Sequence, residues 1–175
     1  MSILKVARMG HPVLRESARP LDPADVRDSV VQKLIDDMID TMHEYHGVGL
    51  AAPQVHEGLR VFVALLDTDP GPESEAIVMV NPRITPIGSG RDEDWEGCLS
   101  IPDIRGMVPR FSEISVAALD RRGQSVELRL KGFAARVAQH ETDHLDGVLF
   151  FDRMTSMQSL TFLDEFSRYH DKDED

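Results

Sequence analysis

The chain has 175 residues and a mass of 19.6 kDa, a length that suits one compact domain, here taken as 1–175. Its formal net charge of −12 argues against broad binding to nucleic acid, because each neutralised phosphate requires a lysine or arginine. The longest uninterrupted apolar run, VFVALL at 61–66, is far too short to cross a bilayer, so no membrane span is expected.

Three segments have the residue spacing of amphipathic helices. Residues 25–46 carry apolar side chains three and four positions apart, and Gly47 is the predicted stop. Residues 133–145 repeat this pattern, with Gly147 as a predicted left-handed cap. A third helix is predicted from Thr155 to about Tyr169.

Between the first two helices the pattern changes to that of strands. Four strands are predicted, at 60–67, 76–81, 113–120 and 125–131, and the acidic stretch 67–75 is predicted to be an exposed loop. The sequence DRRGQ at 120–124 is predicted to join the last two strands as a hairpin. Because the strands lie together rather than alternating with helices, the sequence favours an α+β fold.

The stretch AQHETDHLDG, residues 138–147, carries a candidate metal site. Four-residue spacing directs His140 and His144 to the same side of a helix, with Glu141 beside them, an arrangement typical of metal-dependent hydrolysis. The alternative is a helix that matches the pattern by chance. The similar HEYH at 43–46 has three-residue spacing, which rotates the rings differently, so a surface role at a helix end is expected there.

Two histidines hold a divalent ion poorly, since a catalytic site typically has three protein ligands and one open position. Metalloproteases with this helix motif often use a later histidine or glutamate as the third ligand, and downstream only His170, Glu165 and Glu174 are of these types. Upstream, the only cysteine, Cys98, lies in a predicted polar bend within DWEGCLSIPDIRGMVPR at 94–110. A lone cysteine is most often a buried packing residue, but this context favours coordination.

The stretch GVGLAAPQ at 47–54 follows the first predicted helix. Its glycines would let a substrate backbone come close, and the side-chain amide of Gln54 can donate a hydrogen bond to a developing oxyanion. By itself the stretch fits a simple helix-ending loop equally well.

Together, GVGLAAPQ, EGCLS and QHETDHLDG, in this order and at these separations, resemble the three signature motifs of peptide deformylases. The resemblance implies an α+β fold in which the histidine helix packs against small mixed or antiparallel sheets, with further helices near both ends. It implies removal of the N-formyl group from the initiator methionine of nascent polypeptides, with release of formate. The implied metal ligands are Cys98, His140 and His144. The implied cofactor is iron(II), with zinc, nickel or cobalt as substitutes.

The resemblance also implies roles for residues around the metal. Glu141 would carry the proton from water to the leaving amine, and the Gln54 amide and Leu99 N–H would stabilise the oxyanion. Substrate contacts are expected from Val48, Gly49, Ile104, Arg105, Gly106, Phe133 and Val137, although Arg105 is equally explained as a surface charge. From their positions next to these residues in the sequence, Glu96, Gln139 and Asp143 are expected to orient the metal ligands or the catalytic loop.

Location and partners are also expectations at this point. No secretory signal or transit segment is evident, so we expect a bacterial cytoplasmic protein that acts on N-formyl-methionine nascent peptides. Some deformylases dock on ribosomes through a basic C-terminal helix, but residues 155–175 contain six acids against Arg168 and Lys172, which makes such docking doubtful. Two alternatives stay open: a peptidase or other amidase with the same metal chemistry, and a non-catalytic metal-stabilised module.

Overall fold

A computed structural model describes residues 2–67 and 74–170 of the chain. These ranges contain three α-helices: α1 (Ser29–Glu44), α2 (Gly132–Leu145) and α3 (Leu163–Tyr169). They also contain eight strands: β1 (Gly49–Ala51), β2 (Val61–Ala64), β3 (Ile77–Pro86), β4 (Arg91–Cys98), β5 (Ile101–Phe111), β6 (Glu113–Leu119), β7 (Ser125–Lys131) and β8 (Thr161–Phe162). The predicted α+β class is confirmed. None of the helices described is long and apolar enough for a membrane span.

The strands form two antiparallel sheets. The larger has the order β1-β2-β3-β6-β7, and the smaller has the order β4-β5-β8. Strand β1 lies at the edge of the larger sheet and pairs with β2 alone, from Gly49 opposite Ala64 to Ala51 opposite Phe62. Within residues 2–67 and 74–170, one edge of β1 therefore has no strand neighbour.

The larger sheet is covered on both faces, which explains the apolar run in β2. Val61 and Val63 belong to one buried cluster with residues of α1, whereas Phe62 and Ala64 belong to another with residues of α2. Since side chains alternate along a strand, the two helices must lie on opposite faces of the sheet. A strand buried on both faces reads as a continuous apolar run.

Helix α2 also contacts the smaller sheet. The Arg136 guanidinium donates to the Val108 carbonyl at 2.7 Å, and the Gln139 amide hydrogen-bonds both backbone groups of Phe111, at 2.9 and 3.0 Å. A third buried cluster, which includes Cys98, Val108 and Phe150, fills the region around β4 and β5. The histidine helix thus lies between the two sheets.

Two of the three predicted helices lie close to their expected bounds. Helix α1 begins at Ser29 after a short 3₁₀ turn, and the left-handed residue after it is His46 (φ 53°) rather than Gly47. Helix α2 is followed by Gly147 at φ 71°, as predicted. The predicted third helix is wrong over its first half, because the chain there forms a 3₁₀ turn (Met157–Ser159) and then β8, which pairs with β5.

The four predicted strands correspond to β2, β3, β6 and β7, and β3 runs five residues beyond its predicted end. The hairpin β4–β5 was missed, since β4 has the charged sequence RDEDWEGC and lacks apolar alternation. Residues 68–73 of the predicted loop, and the DKDED end of the chain, lie outside the described residues.

Candidate metal centre and active site

Two elements bring the three predicted metal ligands together. Helix α2 presents His140 and His144 on the same side, with their ring centroids 5.0 Å apart. Cys98 ends β4, and its Sγ lies 3.2 Å from Nε2 of His144. One ligand atom from each residue can be chosen so that all lie within 4.8 Å of one another. The three side chains can therefore hold one metal ion between them.

The electrostatics of these side chains suit a metal. Burial opposes ionisation of the Cys98 thiol, but the charge of His144 and the hydrogen bonds with both histidines hold its pKa well below the ordinary value. Burial also disfavours the charged form of His140, yet contact with Cys98 and Glu96 raises the pKa of that ring well above its ordinary value. A thiolate is the form of cysteine that coordinates metal, and thiolate with imidazole suits iron, zinc, nickel or cobalt.

Glu96 fixes the ring of His140. Its Oε2 lies 2.8 Å from Nδ1 of His140, which leaves the other ring nitrogen for the metal. Glu96 contacts His140 and Cys98 contacts His144, so both side chains of β4 point toward α2. Burial would raise the pKa of Glu96, but hydrogen bonds with Arg110 and His140 hold it well below its usual range.

Two buried arginines hold Glu96. Arg110 donates to both of its carboxylate oxygens, at 2.9 and 3.0 Å, and Arg136 donates to Oε1 at 2.8 Å. Sequence reasoning missed both arginines. Arg136 could have been found, because it lies one helical turn before His140 and so shares its side of α2. Arg110 reaches Glu96 through the tertiary structure, and no local sequence pattern indicates that contact.

The other two residues expected to orient the ligands differ from Glu96 in their contacts. Asp143 lies 2.5 Å from Arg110 and 2.6 Å from Arg153, so it reaches His140 only through Arg110 and Glu96. Gln139 hydrogen-bonds Phe111 and the Ala135 carbonyl, and no hydrogen bond between it and a metal ligand is found in the part of the chain described. Its role is to fasten α2 to β5.

Glu141 lies beside the predicted ligands, and its carboxylate is buried. The residue is 4% exposed, and its Oε2 has no hydrogen-bond partner among the described residues. Burial raises the pKa of Glu141 to about 7. The backbone of β1 passes directly over the carboxylate, since a Cβ placed on Gly49 would lie 2.3 Å from Oε1 of Glu141. Glycine is required here by close approach.

The amide of Gln54 has a fixed orientation. Its Oε1 accepts from the Ala51 N–H at 2.8 Å, which turns the NH₂ group toward Ser100 Oγ at 3.2 Å and Cys98 Sγ at 3.5 Å. A donor is thus aimed at the metal centre. Leu99 and Ser100 form the turn between β4 and β5, and the Leu99 side chain packs against Gly47.

A cleft of about 660 Å³ opens onto this centre. Gln54, Cys98, Leu99, His140 and Glu141 line it. Five of the seven predicted substrate-contact residues also line it: Val48, Gly49, Arg105, Phe133 and Val137.

Ile104 and Gly106 are not among the residues that line the cleft, and their contact with substrate stays a prediction. Ile104 pairs with Phe162 of β8 and belongs to the third buried cluster. Gly106 pairs with Glu96 and is covered by Met154, whose Cε would lie 2.8 Å from a Cβ placed there. Each of the two residues thus has a strand partner on one edge of β5.

Other candidate ligands lie elsewhere. His43 and Glu44 of the HEYH stretch are exposed and form no metal-ligand cluster within residues 2–67 and 74–170. His170 contacts Trp95 instead, with ring centroids 5.0 Å apart, and Glu174 lies outside the described residues. Trp95 and Leu163 also line the cleft, and sequence reasoning missed both.

Comparison with known proteins gives consistent matches. The family model described as polypeptide deformylase matches residues 3–160. Peptide deformylase 1 of Prochlorococcus marinus is 45% identical over 171 residues, which cover 94% of this chain and 88% of that protein.

Solved structures match equally well. The Met-Ala-Ser-bound class I type b peptide deformylase from Acinetobacter baumannii is 40% identical, with a TM-score of 0.81, over 88% of this chain and 100% of that one. The peptide deformylase from Thermotoga maritima is also 40% identical, with a TM-score of 0.81, over 89% and 100% of the two chains. The chain therefore belongs to the polypeptide deformylase family, and it is a metal-dependent hydrolase that removes the N-formyl group from the amino-terminal methionine of newly synthesised polypeptides and releases formate.

Proposed function

We propose that Cys98, His140 and His144 hold the catalytic metal, and that Glu141 carries the proton during deformylation. The observation that supports this most strongly is the convergence of the three ligand atoms within 4.8 Å, beside a buried carboxylate oxygen that has no partner among the described residues. A divalent ion bound there supplies Lewis acidity toward the formyl oxygen and toward water.

Glu141 performs the proton transfer in this proposal. Its carboxylate takes a proton from the attacking water and later gives it to the amine nitrogen of methionine as the bond between the formyl carbon and that nitrogen breaks. Formate and the free amino terminus are the products. A pKa of about 7, raised by burial, suits a group that must both accept and donate a proton near neutral pH.

Gln54 and Leu99 stabilise the charge that develops on the formyl oxygen. The Gln54 amide is already oriented by Ala51, so its donor needs no rearrangement during the reaction. The backbone N–H of Leu99 is the second proposed donor, next to Cys98 in the turn. Loss of one such donor commonly costs about 3–4 kcal/mol in the barrier.

The substrate backbone binds along the free edge of β1, beside Val48 and Gly49. This edge lines the cleft and has no strand neighbour among the described residues, so an extended peptide can add to it. The methionine side chain occupies the part of the cleft lined by Phe133 and Val137 of α2. The Acinetobacter baumannii relative binds Met-Ala-Ser, the sequence of a deformylated product, which supports a peptide as the ligand of the cleft.

Arg105 contacts the peptide backbone in the proposal. Its guanidinium lies against Gly97 and donates to the Ile104 carbonyl at 3.0 Å, and it has no acidic partner in the described part of the chain. A cation in the cleft without an ion pair is available to bind a substrate carbonyl oxygen.

Iron(II) is the proposed cellular metal, on the basis of the motif resemblance, while the donor set suits zinc, nickel and cobalt as substitutes. We further infer one deformylase domain over 1–175 and a bacterial cytoplasmic location. We expect iron-loaded protein to lose activity in air faster than nickel-loaded protein, because iron(II) is the more readily oxidised ion.

The proposal is tested by comparing Glu141→Ala with Glu44→Ala, which removes an exposed carboxylate at the end of α1. Formate release from formyl-Met-Ala-Ser and bound metal are measured for each. We expect Glu141→Ala to keep its metal and lose nearly all turnover, and Glu44→Ala to match the unmodified protein. Full turnover in Glu141→Ala would exclude the proton-transfer role.

A further inference from the structure

We propose that a second cleft, on the side of α2 away from the metal centre, binds the phosphoryl group of a small phosphate monoester. This rear cleft has a volume of about 470 Å³, and none of the described residues lines both it and the cleft at the metal centre. From α2 and its C-cap it is lined by residues whose spacing of three and four places them on one side of the helix: Gln139, Thr142, Asp143 and Asp146. A ligand there lies outside the deformylation site, so its binding does not depend on the proposed function.

The rear cleft concentrates positive charge in a chain whose formal net charge is −12. Two acids line it, Asp143 and Asp146, against five arginines: Arg60, Arg83, Arg91, Arg110 and Arg153. Guanidinium groups that converge in a cleft raise the local concentration of anions there, even where the whole protein is acidic. The rear cleft is therefore a candidate site for an anion.

Three of the five arginines have acidic partners inside the protein. Asp143 lies 2.5 Å from Arg110 and 2.6 Å from Arg153, and Asp146 lies 2.6 Å from Arg60. The charge of both acids is thus compensated, and both are held away from the other two arginines.

Arg83 and Arg91 are the two arginines that remain. Both are exposed, and neither forms an ion pair within residues 2–67 and 74–170. A phosphate monoester carries a charge of about −1.5 to −2 at pH 7, so one phosphoryl group matches the two uncompensated guanidinium groups. A guanidinium can also donate two parallel hydrogen bonds to a phosphate. The charge balance therefore favours a phosphate monoester over a singly charged carboxylate or phosphodiester.

Phe111 holds the Arg91 guanidinium. The Arg91 Cζ lies 4.3 Å from the centroid of the Phe111 ring, and both residues line the rear cleft. The Phe111 backbone is itself hydrogen-bonded to the Gln139 side chain, at 2.9 and 3.0 Å. Stacking uses the face of the guanidinium and leaves the N–H donors in its plane available for phosphate oxygens. Arg91 is therefore oriented before a ligand binds, which lowers the entropy cost of binding.

A β-bulge positions Arg83. The pairing of β3 with β6 shifts between Val80 and Arg83, where Asn81 has a φ of 52° and Pro82 follows. The Asn81 side chain is hydrogen-bonded to both backbone groups of Leu21, at 2.9 and 2.8 Å, which fixes the bulge. A bulge changes the direction of the side chains beside it. Arg83 comes directly after this bulge and lines the rear cleft.

The other walls of the rear cleft suit an organic phosphate. Thr142 lines it, and the Oγ1 of this residue is buried without a hydrogen-bond partner among the described residues. A buried polar group of this kind calls for a partner, which an oxygen of a bound phosphate can supply. Three prolines give the cleft a stiff apolar surface for the organic part of the ester: Pro82, Pro86 and Pro109.

The first test is a titration of zinc-loaded, ¹⁵N-labelled protein with glycerol 3-phosphate, followed through the amide chemical shifts. We expect saturable shifts at Phe111 and Thr142, with a Kd of about 1 mM or lower, and unchanged shifts at Gly49 and Leu99 beside the metal. Dimethyl phosphate is the matched probe, because it keeps the tetrahedral phosphorus but carries one negative charge. We expect it to bind at least about tenfold more weakly.

The second test uses variants of the two uncompensated arginines. Arg83→Gln and Arg91→Gln should each raise the Kd for glycerol 3-phosphate by roughly three- to tenfold, because each loses one charge-assisted contact at an exposed position. Arg122→Gln is the control, since it removes the same charge from an exposed arginine that lines neither cleft, and its Kd should be unchanged. All three variants should release formate from formyl-Met-Ala-Ser at the unmodified rate.

Four results would overturn the rear cleft as a phosphate site. They are a lack of saturation at about 20 mM, shifts confined to Gly49 and Leu99, equal affinity for dimethyl phosphate, and an unchanged Kd in both Arg83→Gln and Arg91→Gln. Binding of a single-stranded RNA oligonucleotide without binding of the monoester would also overturn it, and would assign these arginines to an RNA backbone. Formate release is measured separately, so each of these results leaves the proposed function intact.

Discussion

Replacing Gly49 with alanine should inactivate the enzyme through one contact. The added Cβ would lie 2.3 Å from Oε1 of Glu141 and 2.7 Å from its Cδ, whereas ordinary contacts begin at 3.4 Å. Gly49 has no positive φ, so alanine adds no backbone strain there. The buried carboxylate must therefore move by roughly 1 Å, and a misplacement of that size can reduce turnover about a hundredfold.

The assay measures formate release from formyl-Met-Ala-Ser together with bound metal and the melting temperature. We expect kcat to fall about a hundredfold while the metal is retained, because Gly49 contacts Glu141 rather than the ligands. Gly58→Ala is the control, since a Cβ at that position meets nothing within 4 Å. Turnover within about threefold of the unmodified protein would refute the reasoning, because it would show that catalysis tolerates a displaced carboxylate.

Three further predictions concern groups around the metal. Glu96→Gln should weaken metal binding about 10- to 100-fold, because the variant loses the carboxylate that orients His140. A competition titration with a chelator measures the metal affinity, and an unchanged affinity would contradict the prediction. Gln54→Ala should lower kcat about 10²- to 10³-fold with metal content unchanged. An equal loss of metal would show that Gln54 supports metal binding rather than stabilising the oxyanion. Arg110→Met should lower the free energy of unfolding by about 3–5 kcal/mol, measured with denaturant, since Glu96 and Asp143 would lose a buried cation. A loss below about 1 kcal/mol would mean that Arg136 and Arg153 suffice to compensate the two carboxylates.

The histidine helix could be predicted from the sequence because the same spacing of three and four residues places both its buried apolar side chains and its two histidines. Residues three and four apart on α2 form its buried face, and His140 and His144 continue that spacing. Local sequence therefore determined both the helix and the side on which its ligands lie. The left-handed Gly147 was predictable for the same reason, since a helix end is a local event.

The hairpin that supplies Cys98 was not predictable in this way. Apolar alternation is the signal for a strand, but β4 buries Glu96 and leaves the charged side chains before Trp95 exposed. Its buried carboxylate is compensated by Arg110, which lies 14 positions away, and by Arg136, which lies 40 positions away. Ion pairs between residues so far apart in the sequence cannot be predicted from a local residue pattern.

The same limit explains the error in the third predicted helix. Leu160 and Leu163 have helical spacing, yet the backbone at Thr161 and Phe162 pairs with β5 instead. A short strand is stable there because its partner already exists, whereas an isolated helix of similar length is marginal. The long-range partner therefore prevailed over the local preference.

The buried charges behind the metal centre make sense as a device for orientation. Ion pairs of this kind are seldom an advantage for stability alone, since well-packed apolar residues often serve as well. Here the arginines keep Glu96 ionised, and an ionised Glu96 can accept the Nδ1–H of His140 and so leave Nε2 as the coordinating atom. A variant with apolar residues in place of the whole network could fold, but the tautomer of the His140 ring would no longer be fixed. The location of these charges, directly behind one ligand, is thus better explained by the demands of the metal than by those of the core.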